Sequence, residues 1–300
     1  KIMVNSQYKQ KLTMKHILFT LLVAVASIPC YGFSIETTRF HCSEDTTKIN
    51  TLLKEGISAD LKTPNQFVSF YADKLLETPY VAHTLEGDQE FLTINIDELD
   101  CTTFVETLMA LTMSTMQNSP TWYTYAANLE KIRYHNGKVN GYASRLHYIS
   151  AWIVENTARG IIEERTSALP HAEQQIKTLN YMSRHRDSYP ALKEDKAFQE
   201  IKELESGYNM HMFPYIKKTN LHKKDLIADL KDGDIICLTT KTEGLDVSHL
   251  GIIRFVDDKP HLLHASSKGK KVMIDKYDLY EMLRASKNTG IRVIRIREGY

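Results

Sequence analysis

Cysteine is scarce in this chain. There are four in 300 residues, at Cys30, Cys42, Cys101 and Cys237, and none are paired as Cys-x-x-Cys. That excludes the usual zinc-ribbon and thioredoxin-type readings. A His-Glu-x-x-His helix is missing as well, despite the histidines at His211, His222, His261 and His264. The sequence therefore predicts no metal and no other cofactor. Charge of one sign is not in excess: 38 Lys and Arg face 37 Asp and Glu with no basic stripe, which argues against a nucleic-acid partner. No apolar run reaches the roughly 20 residues a membrane helix needs. Repeats and low-complexity tracts are absent, and nothing in the composition suggests disorder. What is there suits a globular protein.

The N-terminal stretch "MKHILFTLLVAVASIPCYGFS" has the order of a secretory signal. Lys15 and His16 precede an apolar run from Ile17 to Ile28, and small residues Cys30 and Gly32 sit before a cut at Phe33. Residues 1–32 are thus read as an upstream extension and cleavable signal peptide. An uncleaved anchor helix and a lipid attached at Cys30 are the alternatives. Removing residues 1–32 takes away Lys1, Lys9, Lys11 and Lys15 and no acids, leaving 34 basic against 37 acidic residues, a formal charge of −3. The expected location is periplasmic or secreted, with no stable membrane association after cleavage. Cys42, Cys101 and Cys237 remain, so one thiol stays unpaired in a monomer.

Residues 33–300 read as a single α+β domain with a helical elaboration at about 118–212. Thr63-Pro64 predicts a capped helix start, with Phe67, Tyr71 and Leu75 on one face, ending at Thr78-Pro79. "FLTINI" is extended. "LDCTTFVETLMALTM" is a helix with Cys101 in its first turn. Beyond it, "TWYTYAANLEKIRYHNGKVNGY" predicts a helix and then a hairpin at Asn136-Gly137. A further amphipathic helix is predicted from about Ser144 to a Gly160 cap, followed by a strand-like "GIIEERT" and further helix. From residue 213 the period shortens to two: "FPYIKK", "DGDIICLTT", "VSHLGIIRFV", "HLLHAS", "KKVMI" and "IRVIRI" read as strands, interrupted by a helix in "DKYDLYEMLRAS". Helices first and consecutive strands later imply an antiparallel sheet.

Cys101 carries the chemistry. A cysteine at a helix start meets the positive end of the helix dipole, which favours thiolate. A nucleophilic cysteine needs a base, usually a histidine oriented by a third polar group. His249 lies in the strand "VSHLGIIRFV", on the face of Gly251, which leaves space beside the imidazole. His264 follows in the next strand. A hairpin turning at Asp258-Lys259 puts it on the same face but four residues off register, a gap that a bulge or strong twist must close. Cys237 reads as a core thiol and Cys42 as non-catalytic. Arg145, His147, Tyr148 and Trp152 are either packing or a polar-aromatic wall in which Arg145 grips a carboxylate and Tyr148 or Trp152 stacks on a sugar.

"TPYVAHTLEGD", "LDCTTFVE", "DGDII", "SHLGI" and "LLHAS", in that order, resemble the NlpC-type cell-wall cysteine peptidases. The wording "TLE…LDCTTFVE…RLHYISAWI…SHLGI…LLHASS" is most similar to their N-acetylmuramoyl-L-alanine amidase-like branch, over most of residues 63–296. The resemblance implies a papain-like fold, with Cys101 as nucleophile, His249 as base, His264 as orienter and Tyr80 facing the reaction centre. It implies a peptidoglycan or muropeptide substrate, cut between N-acetylmuramic acid and L-alanine through an acyl-enzyme. Cleavage of the stem peptide between D-glutamate and the diamino acid, or silent muropeptide binding, are the alternatives. Two departures from the branch pattern imply a reshaped pocket. Thr102-Thr103-Phe104-Val105 replaces Ser-Gly-hydrophobic-Val after the cysteine, and His83 and Thr84 replace glycines after Pro79-Tyr80. A monomer is expected.

Overall fold

A computed structural model describes residues 33–117 and 119–299. The predicted signal segment therefore lies outside the described residues. In chain order the helices are α1 (Asp45–Ser58), α2 (Pro64–Lys74), α3 (Cys101–Thr115), α4 (Trp122–Arg133), α5 (Ile149–Ala158), α6 (Tyr181–Arg184), α7 (Asp195–Ser206), α8 (Lys224–Asp229) and α9 (Leu279–Arg284). The strands are β1 (Thr38–Phe40), β2 (Leu92–Ile94), β3 (Ile162–Glu164), β4 (Ala172–Lys177), β5 (His211–Lys217), β6 (Ile235–Thr240), β7 (Val247–Val256), β8 (Lys259–Ser266), β9 (Lys271–Asp278) and β10 (Asn288–Ile296). None of these helices is long and apolar enough to cross a membrane.

An eight-stranded antiparallel sheet runs in the order β4-β5-β10-β6-β7-β8-β9, with β3 sharing the β5 side of β10. β1 and β2 form a separate parallel pair. The mixed α+β class and the antiparallel sheet agree with the sequence reading. In the segment at 118–212 the strand-like "GIIEERT" supplies β3, but β4 was not expected beside α4 to α7; both strands extend the main sheet.

α3 is the central helix. Its residues from Thr103 to Ser114 are buried, on every face. A helix buried all round must satisfy its polar groups internally. Glu106 does so with the Arg133 guanidinium of α4 at 2.6 Å, and Ser114 Oγ accepts from Asn128 Nδ2 at 2.9 Å. α2 begins where expected: Thr63 caps it, and the Gln66 side chain reaches back to the Thr63 N–H at 3.0 Å. Such a cap contributes about 1 kcal/mol.

Two expectations around residues 134–148 need correction. Asn136 and Gly137 both take positive φ, as a type I′ turn demands, but only a single bridge, Tyr134 to Arg145, flanks the turn, so no hairpin forms. The helix predicted from Ser144 starts only at Ile149. Arg145 and Tyr148 are extended instead, with a tight turn at Leu146 between them, whose N–H is tied to the Arg133 carbonyl at 2.9 Å. The late helix is also shorter than predicted, because β9 continues to Asp278, whose carboxylate then caps α9.

Candidate active site

Cys101 is the first residue of α3 because Asp100 caps the helix. The Asp100 carboxylate accepts from the N–H groups of Thr102 at 3.0 Å and Thr103 at 2.8 Å, and Thr103 Oγ1 accepts from Asp100 N–H. This fixes the thiol at the start of the helix. It also brings a negative charge to the end where the dipole is positive. The consequence reverses the expected thiolate. Burial pushes the Cys101 thiol up to about 11 and Asp100 adds to the rise, while the Leu250 backbone amide opposes it. That amide belongs to the residue after His249, so α3 meets β7 at the point where the histidine stands.

His249 sits beside a β-bulge. Leu238 pairs with His249 and Thr239 with Val247, so Ser248 is the extra residue, held by Asn288 Nδ2 donating to its Oγ at 2.7 Å. Bulges of this kind re-aim the neighbouring side chain. The β7–β8 hairpin turns at Asp257-Asp258, both at positive φ, one residue earlier than the sequence suggested. The pairing of Ile252 with Leu263 then sets Gly251 opposite His264, so the two histidines are two residues off register rather than four. Diagonal neighbours at that offset can touch. His249 Nε2 and His264 Nδ1 are 2.6 Å apart, with the rings nearly perpendicular. Gly251 leaves no open space: a Cβ there would stand 2.8 Å from both the Leu262 side chain and the Leu263 carbonyl.

Both imidazoles are held neutral. Burial alone lowers His249 to about 4. Burial, then the proximity of His249, lowers His264 to about 4, against a small upward pull from Asp275. Tyr80 is half-buried, in a single bridge to Leu99, with its N–H on the Lys270 carbonyl at 2.9 Å. Burial raises its hydroxyl, and the charges of Cys101 and Asp100 raise it further; the bridge to Leu99 holds Tyr80 near the start of α3. Cys101, His249, His264 and Tyr80 thus converge on one region.

The other predicted residues do not join them. Trp152 is 2% exposed, inside the core, and presents no face to a sugar. Tyr148 is buried, donates to Glu205 Oε1 at 2.7 Å and accepts from Met182 N–H at 2.9 Å. Arg145 is buried and already paired, with Glu86 at 2.9 Å and Glu90 at 3.4 Å, over the Tyr142 ring. It braces the approach segment before the cysteine instead of offering a free fork. The His147 ring packs tilted against Tyr142 and its Nε2 contacts the Tyr142 carbonyl at 2.9 Å; burial and Arg145 hold it down to about 3. Arg145, His147 and Tyr148 do line one pocket, with His135 and Tyr208, but neither Cys101 nor His249 borders it.

Cys101, Cys42 and Cys237 are free thiols, and Cys237 is fully buried as expected. Cys42 groups with Asp45 and Asp97 at a spacing a metal could use, but the Lys48 ammonium already reaches Asp97 at 2.5 Å and Cys42 Sγ at 3.9 Å. Residues that the sequence reading missed include Asp246, whose carboxylate accepts from Ser150 N–H at 2.5 Å and so anchors α5 to the loop entering β7. Its place directly ahead of a strand was the only sequence signal for it. Asp275 was missed as well.

The AmiA-like family, described as N-acetylmuramoyl-L-alanine amidase-like, matches residues 71–291. An N-acetylmuramoyl-L-alanine amidase from Bacteroides uniformis is 40% identical, with a TM-score of 0.73 over 78% of this chain and 99% of its own. A Bacteroides fragilis protein provisionally named a xylanase is 42% identical over 75% of this chain and 99% of its own, with a TM-score of 0.71. A Legionella pneumophila protein at 23% identity shares the fold, with a TM-score of 0.64 over 84% of this chain and 94% of its own. No curated protein sequence matches the chain. The span and the identity together are decisive: this chain belongs to the AmiA-like family of N-acetylmuramoyl-L-alanine amidase-like proteins.

Proposed function

We propose that the protein is a cysteine amidase of papain-like, NlpC-type architecture that hydrolyses the amide between N-acetylmuramic acid and L-alanine in peptidoglycan or released muropeptides. One observation carries the reading: a capped helix-start cysteine meets the strand that carries a hydrogen-bonded His249–His264 pair. His264 takes His249 Nε2, which leaves His249 Nδ1 for the thiol. With the thiol held up and the imidazole held down, the resting pair is neutral, so attack and proton transfer go together. Cys101 Sγ bonds to the lactyl carbonyl carbon as its proton passes to His249 Nδ1. The carbonyl oxygen becomes an oxyanion. The Asp100 carboxylate takes the N–H groups of Thr102 and Thr103 and not that of Cys101, so this last donor serves the oxyanion, with the Tyr80 hydroxyl as a second. The raised Tyr80 keeps its proton at neutral pH. The imidazolium then protonates the departing L-alanine nitrogen. Water, deprotonated by His249, hydrolyses the thioester.

The substrate side of this reading rests on the family. A glycosidase reading needs two free carboxylates flanking the scissile bond, and Asp100 is committed to capping. Export to the periplasm or exterior, and action as a monomer without stable membrane association, complete the proposal. Cutting between D-glutamate and the diamino acid, or silent binding, are the competing readings. Incubation with a sugar-linked stem peptide and the free stem peptide, with products identified by mass spectrometry, separates them. The proposal requires release of an intact peptide starting at L-alanine. Cleavage inside the free peptide at an equal rate replaces it with the endopeptidase reading, and no product from either replaces it with the binder.

A further inference from the structure

We infer that Asp275 is a positioning residue that sets the tautomers of both histidines and so makes His249 a base toward Cys101. The inference rests on the cysteine–histidine reading proposed above. Two diagonal steps across the sheet carry it. His264 faces Gly251 on β7 and Met273 on β9; His249 lies two residues before the first and Asp275 two residues after the second. Beyond Ile274 the β8–β9 register shifts, so that residues 275–277 bulge opposite Leu262. In that bulge the Tyr277 N–H donates to Asp275 Oδ1 at 2.9 Å. The other oxygen, Oδ2, points at His264 Nε2 from 3.9 Å. His264 is 6% exposed, and its Nε2 has no hydrogen-bond partner. A buried ring nitrogen without a partner is costly. A carboxylate is the acceptor within reach, and contacts of this kind tighten in the working complex.

The consequence follows along the chain of rings. A carboxylate can only accept, so His264 carries its proton on Nε2. Its Nδ1 is then bare and accepts across the 2.6 Å contact, which obliges His249 to hold its proton on Nε2. His249 Nδ1 is left bare, the state a general base requires. Histidine alone cannot impose this on its neighbour, because a His–His contact is satisfied equally by the reverse pair of tautomers. Asp275 breaks that symmetry.

Asp275→Asn tests this more sharply than Asp275→Ala. Tyr277 N–H holds Oδ1, so the amide must place its NH2 toward His264. A donor there forces the proton of His264 onto Nδ1 and that of His249 onto Nδ1, which disables the base. The full chain is labelled with 15N-histidine, the His249 and His264 signals are assigned with single substitutions, and kcat and KM are measured on a sugar-linked stem peptide. Wild type should show protonated Nε2 on both rings. Asp275→Asn should reverse both and lower kcat about 100- to 10,000-fold with KM within about twofold. Asp275→Ala, which imposes neither arrangement, should lose only about tenfold. Wild-type rings with the proton on Nδ1 of His264 overturn the inference without recourse to any variant, so a variant that fails to fold does not shelter it. Asp275→Asn keeping kcat within twofold, or Asn and Ala losing equally with tautomers unchanged, also overturns it. Turnover by Cys101→Ala would sink the cysteine reading alone and leave the ring assignments intact.

Discussion

Replacing Arg145 by alanine discriminates between a guanidinium that holds substrate and one that holds the protein. Its side chain is 8% exposed and pairs with Glu86 and Glu90; the Glu90 side chain is 3% exposed and shares its Oε1 with the Tyr134 hydroxyl at 2.9 Å. Removing the arginine strands a buried carboxylate. Breaking a buried pair in this way costs about 3–5 kcal/mol. For a domain of this size that lowers Tm by roughly 6–20 °C. The pH dependence has a definite sign. Burial already raises Glu90, and Arg145 is the first influence pulling it back. Without Arg145 it rises further, and its penalty applies only where it is ionised. The deficit relative to wild type should therefore be larger at pH 8 than at pH 5. Arg145→Ala with Glu90→Gln should recover part of it at pH 8. Thermal unfolding followed by circular dichroism measures all of these. If Arg145→Ala melts within 2 °C of wild type while kcat/KM falls by orders of magnitude, the guanidinium meets the substrate and the bracing argument is wrong.

Three further outcomes are expected. With its thiol near 11, ligand-free Cys101 holds about one part in 10,000 thiolate at pH 7, against about 3% for a free thiol, so iodoacetamide labelling should be about 300-fold slower than for free cysteine and climb through pH 9–11; a plateau between pH 5 and 8 would mean a preformed ion pair. Gly251→Ala forces a methyl group to 2.8 Å from the fixed Leu263 carbonyl and should cost about 1–3 kcal/mol while lowering kcat through the displaced histidine pair; unchanged melting and kcat would show that the β7–β8 contact yields freely. N-terminal sequencing of exported protein should begin near Phe33, and material retaining the apolar run from Ile17 to Ile28 would indicate an anchor instead.

How much was legible from sequence depended on whether the determinant was local. The α2 start needed only Thr63, Pro64 and Gln66, and the α3 start only Asp100 and Thr103, so both could be read directly. The strands from β6 to β10 carry their own period. By contrast, α5 begins at Ile149 because a carboxylate 96 residues away, Asp246, takes the Ser150 N–H, and because Arg145 is drawn into a bridge with Tyr134. Helix propensity in "SRLHYISAW" yields to those tertiary contacts. β4 was missed because "AEQQIK" on a sheet edge lacks an apolar alternation. At the site, the residue types and their order pointed to Cys101, His249 and His264, but not to their electrostatics. The helix dipole argued for thiolate, whereas burial and the capping Asp100 push the thiol up. Nor could a one-residue difference in the β7–β8 turn be seen, although it halves the offset between the histidines. A polar-aromatic helix start reads the same whether its rings pack inside, as Trp152 does, or line a pocket while bonding to α6 and α7, as Tyr148 does.

The account turns on Cys101 forming the acyl-enzyme at the lactyl carbonyl. The most direct measurement is rapid acid quench of the full chain turning over a sugar-linked stem peptide, followed by peptide mapping by mass spectrometry. The account predicts a transient thioester that joins the muramyl lactyl group to Cys101, a free peptide with L-alanine at its amino end, and neither species with Cys101→Ala. Turnover by Cys101→Ala, or a peptide fragment in place of the muramyl group on Cys101, would contradict it.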